Sequence, residues 1–332
     1  VTAASLALAG VLPVLLLAGC GGSGSGSAPA EATGTARSAE SPSPRPLKLE
    51  VKASRYRLPA PLSGEGVLPR GKDLLVIGGL DESDVSIATV TSLDPVSGDA
   101  ESAGRLSQPL HDIAAAEVSS GVLVFGGGSA TTTAEVQRLV AGGTGEAVGE
   151  LPVPRSDLSA VRVGSAAYVL AGYDGEQAVG EILKTRDGSR LETVGKLPVP
   201  VRYAAVFALG PVIYAIGGEE SSGADTTAIQ AFDTTTGRAS LVGSLAAPLA
   251  HASPVILGGR AYILGGRLNG STTEQILRFN PARGAAEAAG RLPKPVQNAT
   301  AAVVGGVGYL VGGLSREGST LSSIVAVRLS GR

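Results

Sequence analysis

Short apolar runs recur along this chain, and pairs of them end in two small residues, nearly always glycines. The run from Ala252 to Gly266 reads as two strands joined by a tight Gly-Gly turn, because glycine supplies the positive φ that a two-residue hairpin demands. A polar loop follows. Thr273 to Asn280 then reads as a third strand, Pro281 to Gly284 as a turn, and Ala286 to Leu292 as a fourth strand.

The same order returns along the sequence. The small pairs fall at Gly78-Gly79, Gly126-Gly127, Ala171-Gly172, Gly217-Gly218, Gly265-Gly266 and Gly312-Gly313, at steps of 48, 45, 46, 48 and 47 residues. Six copies of a four-stranded unit that cannot bury its own faces predict an all-β chain folded as a six-bladed β-propeller. Several fourth strands stop at prolines, in Leu151 to Pro154, Leu197 to Pro200 and Leu292 to Pro295, since proline lacks the donor that a central strand needs. The last repeat ends after its third strand, Ser323 to Leu329. Glu50 to Leu58, followed by Pro59 to Pro61, has the pattern of the missing fourth strand. An N-terminal strand is therefore expected to complete the C-terminal blade and close the ring.

With the pair ending the second strand and a tyrosine three residues before it, at Tyr168, Tyr214, Tyr262 and Tyr309, the repeats resemble the kelch family across 47–332. Leu75 and Leu123 hold that place in the other two repeats. The tryptophan that the family carries at the start of the fourth strand is absent, with Ala100, Ala239 and Ala286 in its position. The resemblance implies a ligand face around the mouth of the central channel, used by kelch propellers as binding or scaffold modules for proteins, peptides or glycans. It also implies an enzymatic alternative, a carbohydrate-active isomerase or mutarotase, which needs only a few placed acid/base groups. The copper radical oxidases of the wider group require a tyrosine-linked cysteine, and the one cysteine here is otherwise engaged.

That cysteine is Cys20. It follows an apolar stretch from Leu6 to Gly19 and closes the segment Leu17 to Cys20, which resembles the lipobox of bacterial lipoproteins and implies lipidation at Cys20. Residues 1–20 are thus expected to be a signal peptide, although no Lys or Arg precedes the apolar stretch. The chain opens on valine and holds no methionine, which reads as a non-AUG start taken literally or a start placed late. Residues 21–46 are Gly, Ser, Ala, Pro and Thr with few apolar side chains, the composition of a disordered tether. The propeller would then sit outside the cytoplasm, anchored to the membrane by lipid and monomeric. A formal net charge of −2 with no basic block removes the electrostatic footprint of nucleic-acid binding. No cofactor or metal motif is present, and Gly-x-x-x-x-Gly-Lys-Ser/Thr does not occur.

Counting back fourteen residues from each small pair reaches the residue expected at the channel mouth: Gly64, Asp112, Asp157, Tyr203, His251 and Asn298. Arg202, one residue earlier in its repeat, joins them, as do His111, Ser156 and Gln297. The candidate ligand-binding set is Asp112, Asp157, Arg202, Tyr203, His251 and Asn298, a ring of donors and acceptors suited to a polar molecule. Polar residues also begin strands simply because such positions are solvated. The loops after the pairs carry a second set, among them Asp81, Asp174, Glu219, Glu220, Arg267 and Arg316, expected to be mostly solvated charge.

Overall fold

The computed structural model describes residues Lys48 to Gly331; the expected signal segment, Cys20 and the tether lie outside the described residues. The described chain is built of antiparallel sheets, six of them four-stranded. The first holds Gly66–Arg70, Asp73–Ile77, Thr89–Leu93 and Ala100–Arg105, and the second Ala114–Val118, Gly121–Phe125, Glu135–Arg138 and Glu146–Glu150. The third holds Ser159–Val163, Ala166–Leu170, Glu181–Thr185 and Glu192–Lys196; the fourth, Ala205–Leu209, Val212–Ile216, Ala228–Asp233 and Arg238–Ser244; the fifth, Ser253–Leu257, Arg260–Leu264, Gln275–Asn280 and Ala285–Arg291. The sixth draws on both ends of the described chain, with Lys48–Leu62 paired outside Leu321–Ser330, then Val307–Val311 and Thr300–Val304.

In the fifth sheet, Leu257 lies opposite Arg260, so Gly258 and Gly259 alone form the turn, both with positive φ. Every second strand runs into its small pair. At Gly217, φ is +63° and a Cβ would lie 2.0 Å from the carbonyl oxygen of Leu249 in the next repeat, so glycine is required there for conformation and for close approach. Ala171 takes the corresponding place in the third repeat with φ +60°.

The core lies between sheets. Six apolar clusters each join two consecutive sheets, as Tyr168, Leu170 and Ile182 of the third meet Val206, Ile213 and Phe232 of the fourth. Val67, Leu74 and Val76 of the first sheet likewise pack on Tyr309, Val311 and Ile324 of the sixth. This is what the repeat requires, since each sheet is apolar on both faces and has a neighbour on each. Charged residues enter this interior too, Glu65 and Arg155 among them. Arg155 is buried where the other repeats place Leu62, Leu110, Val201, Leu249 and Val296, and its guanidinium donates to the carbonyls of Ala171 and Glu181 at 3.3 and 3.0 Å.

Candidate functional site

Six backbone hydrogen bonds build the site. Asp112 N–H donates to Gly64 C=O at 2.7 Å, Asp157 to Asp112 at 3.0 Å, Tyr203 to Asp157 at 3.1 Å, His251 to Tyr203 at 3.0 Å, Asn298 to His251 at 3.1 Å, and Gly64 to Asn298 at 3.3 Å. The cycle returns to its first member. All six residues have φ between +49° and +63°, the left-handed region that Gly, Asn, Asp and His enter most readily and that disfavours Tyr. Five side chains are held in this strained backbone around one opening.

A second contact fixes the flanking charges. The residue before each ring position pairs with the residue after the small pair, as in Arg202 with Glu219, Ser156 with Tyr173 and His111 with Gly128; in the fifth repeat, Ala250 pairs with Arg267. Loops read from sequence as solvated rim charge are thereby drawn onto the mouth. Arg202 Nε donates to Glu219 Oε1 at 2.9 Å and Nη2 to the same oxygen, while Nη1 reaches Asp157 Oδ2 at 3.4 Å. Its guanidinium also lies 4.6 Å from the Tyr173 ring centroid. Arg267 holds Asp225 through two hydrogen bonds and Glu219 Oε2 through a third at 2.6 Å. Burial alone would raise the Glu219 carboxyl, but the hydrogen bonds from Arg202 and Arg267 hold it below its ordinary value.

Asp112 and Asp157 have no such cation pair. Burial pushes Asp112 up to about 6, against hydrogen bonds from Asp157 and Tyr203. Burial and the neighbouring Asp112 charge push Asp157 up to about 7. Both carboxyls are therefore held above the ordinary carboxylate range, and their titrations are linked. Tyr203 Oη donates to Asp112 Oδ2 at 3.2 Å, and its ring stacks on His251 at 3.9 Å between centroids. His251 Nδ1 is hydrogen-bonded to Asn298 Oδ1, and its buried Nε2 lies 3.6 Å from Glu219 Oε2. Burial, then the charge of Arg267, lowers the His251 imidazole below its ordinary value. His111 Nδ1 meets Ser86 Oγ at 2.8 Å, with Nε2 3.9 Å from Asp112 Oδ2.

The six expected residues therefore surround one open cavity of about 110 Å³, with Arg202 at its flank. Sequence reasoning missed Glu65, Asp225 and the inward placement of Glu219 and Arg267. Glu65 was legible as the one charged residue at a position that holds Ile113, Leu158, Ala204, Ala252 and Ala299 in the other repeats. It is 2 % exposed, and neither carboxyl oxygen has a hydrogen-bond partner. Burial raises it well above the usual carboxylate range.

No family model and no curated protein matches this chain. The chain is similar to a solved structure of the protein YjhT, at 14 % identity and a TM-score of 0.68 over 82 % of this chain and 99 % of that one. At that identity the likeness is one of fold, a propeller-like all-β architecture that hosts many functions.

Proposed function

We propose that this chain is a lipid-anchored, extracytoplasmic, six-bladed propeller of the kelch type, closed by its N-terminal strand, monomeric, and acting as a binding or scaffold module for a protein, peptide or glycan. The observation that carries the reading is the cycle of six left-handed residues, which aims Asp112, Asp157, Tyr203, His251 and Asn298 at a single opening. The left-handed backbone of Tyr203 costs about 1 kcal/mol or more. Strain of this kind concentrates at ligand sites.

The two buried carboxyls Asp112 and Asp157, both raised and linked in their titration, favour a second reading, a sugar isomerase or mutarotase. In that reaction the protonated carboxyl gives its proton to the ring oxygen of a cyclic hemiacetal while the ionised one takes the proton of the anomeric hydroxyl. The C–O ring bond breaks, the carbonyl forms, and re-closure on the other face reverses both transfers. Thermal-shift screening of the protein against sugars, cell-wall fragments and peptides tests both readings, repeated on an Asp157/Tyr203/His251 triple-alanine variant. A ligand that stabilises the parent and not the variant supports the mouth as the site. Loss of ligand-induced stabilisation graded over several single variants marks a binder. Loss of nearly all anomer interconversion at one carboxyl marks an isomerase. A stabilising ligand that the variant binds equally well overturns the assignment of the site.

A further inference from the structure

The charges at the mouth do not balance. Glu219 and Asp225 are matched by Arg202 and Arg267. Asp112, Asp157 and Glu65 remain, all three lining the same cavity. Among the described residues the one arginine or lysine that reaches any of them is Arg202, at 3.4 Å from Asp157 and already bound to Glu219. Asp112 meets a phenol, a burial-depressed histidine and its partner acid. The Glu65 carboxyl lies between the first and sixth sheets, where a Cβ on Gly312 would sit 2.8 Å from Oε1, and among the described residues no side chain pairs with it. Buried carboxylates without a counter-ion either keep their protons or take up a cation.

Resting on the reading of the mouth as the binding site, we propose that the cavity takes a primary ammonium group on an unbranched stem, held between Asp112 and Asp157. Its three N–H donors suit two carboxylates and one backbone carbonyl of the cycle, an oxygen that spends only one of its two lone pairs on the cycle. A metal ion fits less well. Among the described residues no group of three or more His, Cys, Asp or Glu side chains converges as a metal site, whereas an ammonium needs only two charged acceptors at hydrogen-bond distance. The stem must be narrow, because the cavity holds about 110 Å³. It has somewhere to go: Ile113, Leu158, Ser159, Ala204, Ala252 and Thr300 line both this cavity and the 500 Å³ channel enclosed by the first strands of the sheets. A lysine side chain presented by a polypeptide and a free aliphatic amine share this chemistry.

Isothermal titration of the full chain at pH 6.5 separates the outcomes, using n-pentylamine and an acetyl-Gly-Lys-Gly-amide peptide, with 1-pentanol, pentanoate and a neutral disaccharide as controls. Repeating it in two buffers of different ionisation enthalpy counts protons. The expected result is binding of one or both amines, with no heat from pentanol or pentanoate and release of about one proton per ligand as the carboxyl pair ionises. The peptide alone binding identifies a lysine side chain as the source; pentylamine binding identifies a free amine as sufficient. An Asp112→Asn/Asp157→Asn double variant should bind at least about tenfold more weakly, and should release no proton. If that variant does not fold, Asp157→Asn alone and the parent's proton count carry the test. Equal binding of pentanol, an unchanged variant, or binding without proton release overturns the proposal. Disaccharide binding at the mouth without amine binding overturns it and leaves the glycan reading standing, whereas silence from every ligand removes both.

Discussion

At the scale of single residues, Asp157 contributes to how stability responds to pH, in the same sense as Asp112 and Glu65, which burial also raises. Its folded value of about 7 lies above the ordinary carboxylate value of 3.8, so between those limits the native state holds a proton that the unfolded chain has lost. Stability contributed by that proton is complete below about pH 4 and is lost as pH rises through 7. The surface carboxylates Asp94 and Glu50, held down to about 2 by Lys72 and Arg328, act at lower pH and in the opposite sense. His251 and His111, depressed by burial, also oppose Asp157. A difference measurement isolates the effect: Asp157→Asn should raise the melting temperature at pH 8 by several degrees relative to the parent and should give no such gain at pH 5. An equal shift at both values would show that the residue is not protonated in the folded state. The ring positions were legible in sequence because the fourteen-residue offset from each small pair survives small changes in repeat length. Glu219 and Arg267 were not, because loop charge looks the same in sequence whether it faces water or a neighbouring loop.

At the scale of elements, register decides which residues meet. In each of the first five sheets the third and fourth strands shift register once, opposite Gly104, Gly149, Gly195, Gly243 and Gly290. One bulge per outer strand adds local twist, and the recurring glycine is its sequence trace. The N-terminal strand is irregular in a different way. It keeps regular pairing from Lys48 opposite Ser330 to Ala53 opposite Val325, then slips before Arg57 and again before Leu62. Leu49, Val51, Leu58 and Leu62 from this strand join the clusters on both sides of the sixth sheet. Deleting residues 47–60 should therefore lower the melting temperature by more than about 10 °C, measured by circular dichroism. An unchanged melt would mean that the strand contributes nothing to the sixth sheet's stability.

At the scale of the whole molecule, the repeat and the proposed leader address different questions. Cys20→Ser should abolish incorporation of labelled palmitate and move the protein from the membrane to the soluble fraction; retention of label would remove the lipobox reading. The sequence by itself determined the all-β class, the six units and their strand order, because hydrophobic period and glycine placement are local properties that each unit restates. It also marked the ring positions, since the same offset recurs. The pattern of the N-terminal strand also pointed to its place in the last unit, whereas only the tertiary structure decided that Arg202, Glu219, Arg267 and Asp225 form one network, and that Asp112, Asp157 and Glu65 line one cavity in which Arg202 reaches only Asp157. The physical reason is distance along the chain. Carboxyls about one repeat apart change each other's proton affinity only after six sheets have packed and excluded the water between them, and no local pattern records that exclusion.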